Sequence, residues 1–440
     1  MRILEFLEKS ITVVCIMAFG GTVLPVLLTG GSVVAADQES SGAMMFFAGI
    51  YVLILLLIAL RPSLAFRIPT ASPAVTVLLV LAFVSALWSL YPDVTLRRSL
   101  AFLFTTVFGI YMALRFTFPE IMRLLVTGLS ALMFLSFASV VAMPAVGLDS
   151  AQHVGAWKGI FFQKNVTGRM MVWLVLCLLW LDWQREAKRW VTRSLLALAL
   201  LLIVMSRSGT GLVTSVLVAA ALLATGLVRG NIRSFAPTMA LMLVALILAG
   251  TATASFWHDA LYALGRDPTL TGRTVLWEHV LGSISDRSLL GYGYAAYWYG
   301  AYGPGSSFVE SWGINSAHNG WLEATLDLGV PGVIILIVIM GRLLFQGFFA
   351  ARYGASRAEP AWAFAVGCAL IAISISESVF LERHSMNWIV LVIGVVRLME
   401  HSRRQRFLQA QHHARAQRQA REQAAYAANA PVYAGPGRPF

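Results

Sequence analysis

A series of about twelve apolar runs constrains this chain more than any other feature. They fall at roughly 11–34, 43–60, 71–90, 100–116, 121–143, 166–183, 194–206, 209–228, 235–256, 321–346, 361–380 and 386–400, and most approach the ~20 residues that cross a bilayer as a helix. A segment in hydrocarbon finds no water for its peptide groups, so each run has to hydrogen-bond within itself. The expected fold class is therefore an all-α polytopic membrane protein with about twelve transmembrane helices. Composition agrees, with 58% hydrophobic and 12% charged residues, well outside the soluble globular range. Val34-Ala35-Ala36 before Asp37 resembles a signal-peptide cleavage site. The run before it exceeds an h-region of ~7–15 residues, and Glu5 and Glu8 interrupt the expected basic n-region, so it is read as the first span.

Basic residues set the expected orientation. Arg61 and Arg67, then Arg185, Lys188, Arg189 and Arg193, then Arg229 and Arg233, then Arg342, Arg352 and Arg357 occupy alternate connections, and the tail is also basic. The positive-inside rule then puts both termini in the cytoplasm and the connections 35–42, 144–165, 257–320 and 381–385 outside. This divides the chain into spans one to nine (1–256), a long outer loop carrying short helices (257–320), spans ten to twelve (321–400), and a basic cytoplasmic tail (401–440) expected to be largely disordered. Much of the net charge of +12 belongs to the inner loops and tail, where anionic lipid accounts for it. No nucleic-acid motif is present. Cys15, Cys177 and Cys368 lie inside apolar runs and suggest neither a disulfide nor a metal cluster.

Outward-facing cations then need a reason. Arg97, Arg98, Lys158, Lys164, Arg169, Arg207, Arg266, Arg273, Arg287 and Arg383 sit in or beside the expected outer loops. Arg207, in Ser206-Arg207-Ser208-Gly209-Thr210-Gly211, joins two runs with no room for a solvated loop. It is expected to be buried or half-buried and paired, either with an acid such as Glu323, Asp327 or Glu377 or with a ligand. The excess of outward cations over acids favours the ligand. A guanidinium binds phosphate through two parallel hydrogen bonds, so a lipid diphosphate is a natural partner.

The polar stretch 257–320 is the one long interruption of the pattern. Trp277, Val280, Leu281 and Ile284 recur at helical spacing after Arg273 and predict a short amphipathic helix on the outer membrane surface, with Trp277 packing or anchoring at the interface. Arg273 at the start of that helix opposes the helix dipole unless an anion is close, which favours binding. The Tyr, Trp and Gly residues from Gly291-Tyr292-Gly293-Tyr294 to Trp312 suit sugar stacking and interfacial packing equally. The stretch closes with Ser316-Ala317-His318-Asn319-Gly320-Trp321-Leu322-Glu323, which puts an imidazole where the chain re-enters the bilayer, a natural place for a proton-transfer group. The alternative is a structural hydrogen-bonding histidine. Glu323 can orient its ring or cap the span. His153, His258, His279 and His384 are taken as surface residues. Gly329-Val330-Pro331-Gly332 predicts a kink in the next span, which serves either packing or space for a lipid-linked donor.

Together, Gly272-Arg273 with Trp277, Gly291-Tyr292-Gly293, and His318-Asn319 with Leu322 and Gly329 resemble the signature of the O-antigen ligase and polysaccharide polymerase superfamily. Gly159-Ile160-Phe161-Phe162-Gln163-Lys164-Asn165 and Ser376-Glu377-Ser378 resemble its exopolysaccharide polymerase branch. Gln163 departs from the histidine often found there. The resemblance implies a GT-C type, metal-independent, inverting glycosyltransferase of the bacterial inner membrane that needs no cofactor. It would act on the periplasmic face, take a glycan from undecaprenyl diphosphate and pass it to a glycan or to lipid A-core, with contacts to other polysaccharide-assembly proteins expected. It implies His318 as catalytic base and Arg207 and Arg273 as diphosphate ligands. Arg97, Arg98, Lys164, Asn319, Glu377 and Arg383 are further candidates for substrate binding. Two competing classes remain. A metal-dependent transferase would use Asp37-Gln38-Glu39, and a transporter or flippase would use the cations as an anion entry site, although the single long loop has no counterpart in the first half.

Overall fold

The computed structural model describes residues 2–21, 41–150, 153–227, 273–300, 303–312, 314–354 and 356–428. The expected span 235–256, Asp37-Gln38-Glu39, His258 and Arg266 lie outside the described residues. The major helices are α1 (Arg2–Phe19), α2 (Ser41–Ala59), α3 (Pro73–Val84), α4 (Pro92–Arg115), α5 (Phe118–Ala142), α6 (Lys164–Gln184), α7 (Arg189–Met205), α8 (Gly209–Leu227), α9 (Arg273–Asp286), α10 (Ser306–Trp312), α11 (Gly320–Gly341), α12 (Gly347–Tyr353), α13 (Ala358–Ser374) and α14 (Met386–Ala428). No strand occurs among the described residues, so the all-α reading holds. Among the described residues, four helices are long and apolar enough to cross a membrane, at Gly42–Ala59, Phe118–Ala142, Lys164–Gln184 and Gly320–Tyr353, with shorter apolar helices at Pro73–Leu87, Gly209–Thr225 and Ala358–Ser374. The chain is a multi-pass membrane protein.

Helix α6 is the hub of the unit formed by residues 1–398, packing against α5, α7, α8 and α13. Its apolar residues run all round it, the pattern of a helix enclosed by others, and Met171, Val172, Trp173, Leu174 and Leu176 are buried. Where α6 meets α8, Gly168 and Gly211 let the backbones approach. A Cβ at Gly211 would lie 3.0 Å from the Cα of Gly168, the close contact that small residues permit between spanning helices. Elsewhere, an acid in α1 that looks misplaced in the sequence has a reason. Glu8 is fully buried and accepts hydrogen bonds from Arg61 at 2.9 and 3.2 Å, from Arg115 at 2.7 Å, and from the Tyr111 hydroxyl at 2.7 Å.

The kink expected at Gly329-Val330-Pro331 is present, and its surroundings explain it. Gly329 leaves the helical region at φ 62° and ψ −161° inside α11. The loop backbone docks into the break: Val330 N donates to Ser288 O at 3.1 Å and Tyr292 N to Leu326 O at 2.7 Å. Gly291, itself at positive φ, faces the broken turn, and a Cβ there would sit 2.6 Å from Leu326 O. A Cβ at Gly329 would collide with Leu289 O. The glycines of the two separate motifs are therefore one backbone-to-backbone joint, and packing fills the kink.

Two further differences from expectation have physical causes. Residues 401–428, expected to be largely disordered, lie within α14. They hold Ala, Gln, Arg and Glu with no Gly or Pro before Pro431, and those are strong helix formers even without packing. His384, taken as a surface residue, is half-buried: its ring stacks on Phe47 at 3.5 Å and its Nε2 shares a hydrogen bond with the Tyr51 hydroxyl. Burial first, and then the nearby Arg383 charge, hold this imidazole well below its usual pKa.

Candidate functional site

The polar stretch before α11 has a core of its own, and that core sets the position of His318. Leu276 and Val280 of α9 are buried against Tyr292, Tyr297, Trp298, Ala317 and Leu326, with Trp277 and Ile284 packed at the edge. The predicted amphipathic helix thus exists, but its apolar stripe covers the loop's own interior. Leu281, expected on that stripe, is 54% exposed, because the buried face is narrower than the sequence pattern suggests. Trp277 takes its packing role and donates from Nε1 to Ala317 O at 2.9 Å.

Ala317 is held from both sides. Its carbonyl receives Trp277, and its N–H donates to Glu323 Oε2 at 2.6 Å. Glu323 also accepts from Trp298 Nε1 at 2.9 Å and from the Ser378 hydroxyl at 3.3 Å. One residue later the backbone turns left-handed, with His318 at φ 48°, a conformation histidine tolerates better than most residues but at a cost. Asn319 then caps α11, its side chain accepting from Trp321 N at 3.0 Å and Leu322 N at 3.1 Å. His318 is therefore fixed between a clamped residue and a helix cap, half-buried at the head of α11. Of the two roles open to Glu323, the structure gives a third: it orders the turn that carries the imidazole.

The other candidates converge on the segment after α13. Asn319 Nδ2 reaches Ile375 O at 3.4 Å, and the Ser376 and Thr210 hydroxyls are 3.0 Å apart. Glu377 accepts from Asn165 Nδ2 at 2.8 Å and pairs with Arg169 at 3.4 Å. Lys164 Nζ, 6% exposed, donates to Arg207 O at 3.3 Å. Residues 375–378 thus tie the heads of α6, α8 and α11 together. His318, Asn319, Lys164, Glu377 and Arg207, drawn from four stretches of sequence, share one end of the bundle. Arg207 departs from expectation. The turn is as tight as foreseen, with φ 51° at Arg207, but this throws the side chain outward to an exposed position, near Val154 O at 3.5 Å. Of the acids weighed as its alternative partner, Glu377 pairs with Arg169. Arg273 opens α9 one turn before Trp277; its side chain lies outside what the structure describes.

Arg98 and Arg383 belong to a second group. Arg98 is 6% exposed, donates to Ala295 O, and stacks over the Tyr299 ring at 5.0 Å. Ala295 N in turn donates to Asp327 Oδ1 at 2.9 Å, so the two flanking peptides of one loop residue bridge α4 and α11. Arg383 acts electrostatically on both Asp327 and Tyr294. Arg97, by contrast, is exposed, 3.9 Å from the Met44 sulfur. Sequence reading missed the Arg169–Glu377–Asn165 group as a unit, and the separation of 208 and more positions between partners is why. It also missed the bridge through Ala295.

Residues 194–337 match the family model described as O-Antigen ligase. That window runs from α7 to α11 and contains Arg207, Arg273 and His318. The resemblance to the O-antigen ligase and polysaccharide polymerase superfamily stands. Over 144 residues, 30% of this chain, the sequence is 31% identical to the exopolysaccharide production protein ExoQ of Rhizobium meliloti (strain 1021). The match spans 33% of that protein's length. Both comparisons fall within the superfamily named from the motifs, and ExoQ agrees with the exopolysaccharide branch.

Proposed function

We propose that this protein is an inner-membrane glycosyltransferase of GT-C type that moves a glycan from undecaprenyl diphosphate to an acceptor sugar hydroxyl on the periplasmic face, polymerising exopolysaccharide or O-antigen repeat units. The observation that carries the reading is the convergence of His318, Lys164, Arg207 and the 375–378 segment at one end of the bundle, with Arg207, Arg273 and His318 inside the superfamily window. In the reaction the acceptor oxygen bonds to the anomeric carbon as its proton passes to the His318 imidazole, and the carbon–oxygen bond to the diphosphate breaks with inversion. The electron pair leaves on the diphosphate, whose charge Arg207 and Arg273 neutralise, a task a divalent metal performs in other enzymes. The outward side chain of Arg207 favours this role, because it leaves the guanidinium open to a ligand. Lys164 adds positive charge at the same place.

The test is a reconstituted reaction with undecaprenyl-diphosphate-linked oligosaccharide in EDTA, following glycan length and released lipid diphosphate. Wild-type chain growth that falls ~10²-fold or more in His318→Ala is the expected result. Lipid diphosphate released only once lipid A-core is added makes the protein a ligase, the reading favoured by the family description. Loss of activity in EDTA removes the metal-independent mechanism, and absence of turnover with every acceptor favours a transporter.

A further inference from the structure

Far from His318, beyond the other end of α11, lies a buried charge without a counter-charge among the described residues. Arg352, in the last turn of α12, is 3% exposed, and none of its three guanidinium nitrogens has a hydrogen-bond partner. Its neighbours offer no acid. The stretch 342–357 holds Arg342, Arg352 and Arg357 and no Asp or Glu. Of the helices packed on α12, α8 carries no ionisable residue, and the one acid of α13, Glu359, is paired with Arg397 at 2.8 Å. A guanidinium cannot shed its proton, and an ion held out of water without partners costs several kcal/mol. The α12 carbonyl end offsets only part of that. The described residues therefore leave a place for an anion.

The surroundings indicate which anion. Phe345, Phe349 and Tyr353 recur every four residues and are 67%, 46% and 57% exposed, with the Phe349 and Tyr353 rings stacked 6.3 Å apart. Tyr353 also lies over the guanidinium, 5.0 Å away. The stripe starts in a π-helical turn, Arg342–Gln346, a distortion frequent at functional sites. Aromatic rings beside arginines are the composition of a membrane–water boundary. We propose that Arg352 anchors a phosphate-binding site at the α11–α12 end, the phosphate supplied by an anionic lipid whose acyl chains lie along the Phe345–Phe349–Tyr353 stripe or by a soluble phosphate. The guanidinium forks onto two phosphate oxygens, and Tyr353 gives access by rotating its exposed side chain. The site does not depend on the glycosyl-transfer reading.

The experiment is thermal unfolding of the full chain in lipid-free detergent, with phosphatidylglycerol, phosphatidylcholine or inorganic phosphate added at constant ionic strength. Phosphatidylglycerol should raise the wild-type Tm by ~2–4 °C. Arg352→Met should lose that rise, while Arg357→Gln, which removes an exposed charge from the same stretch, should keep it. Without lipid, Arg352→Met should melt no lower than wild type, since an uncompensated charge has been removed. A rise with inorganic phosphate that depends on Arg352 supports the site and assigns it to a soluble anion. An equal rise with phosphatidylglycerol in wild type and Arg352→Met overturns the proposal. So does failure of Arg352→Met to fold in lipid-free detergent, because it would mean that the chain itself satisfies the guanidinium.

Discussion

At the scale of single residues, His318 owes its position to groups outside the proposed proton transfer. Glu323 holds Ala317 N, Trp298 and Ser378 at once, so Glu323→Gln should lower turnover ~10-fold or more while the protein still folds, an effect of misplacing the imidazole. Turnover and melting temperature measured on the same preparation check this. Asn319→Ala removes the α11 cap and should cost about 1 kcal/mol of stability, read by denaturation in detergent. His384 gives a pH dependence whose sign follows from its burial. Its folded pKa is depressed below the usual 6.5, so at mildly acidic pH the unfolded chain binds a proton that the folded one refuses. Stability should therefore fall as pH drops below about 6.5. His384→Asn should flatten that slope in melting curves between pH 7.5 and 5.5. Much at this scale was legible in sequence, since His318, Asn319 and the spacing of Glu323 are adjacent in the chain. The outward turn of Arg207 was not, because it depends on a left-handed residue whose φ no local pattern announces.

Among elements, the glycine joint between the loop and α11 is the most sensitive feature. Gly329→Ala adds a Cβ where Leu289 O already stands and forces alanine to positive φ. It should destabilise the protein by about 2–3 kcal/mol, whereas Ala at Gly282, which has open space around its Cβ position, should be neutral or stabilising. The Arg169–Glu377 pair makes a second prediction. Arg169→Ala leaves a 5% exposed carboxylate without its cation and should cost about 3–5 kcal/mol. Arg169→Ala/Glu377→Gln together should recover part of it in a double-mutant cycle. The kink was visible in Gly329-Val330-Pro331, but its purpose was not. A Gly-Pro break in one span and a Gly-Tyr-Gly in a loop are separate punctuation marks until folding brings the two backbones together.

For the whole molecule, the unit 1–398 and the tail from 399 are distinct bodies, and residues 403–423 of the tail are almost entirely exposed. Removing residues after 402 should leave the melting temperature of the remaining chain within ~2 °C, since a helix that buries no apolar face adds little to a core; scanning calorimetry of both forms tests it. The class of fold was decided by the sequence itself. The apolar runs impose helices, because hydrocarbon denies the backbone any other partner. The motifs in the loop and before α11 likewise carried the resemblance to the superfamily, since they are local and ordered along the chain. What tertiary structure alone decided is which charges meet. Glu377 found Arg169 and not Arg207, Glu8 found Arg61 and Arg115, and Arg352 found no acid among the described residues. Ion pairing depends on distances of a few ångströms between helices far apart in sequence, and a hydropathy pattern fixes which residues lie in a helix but not which helix faces which.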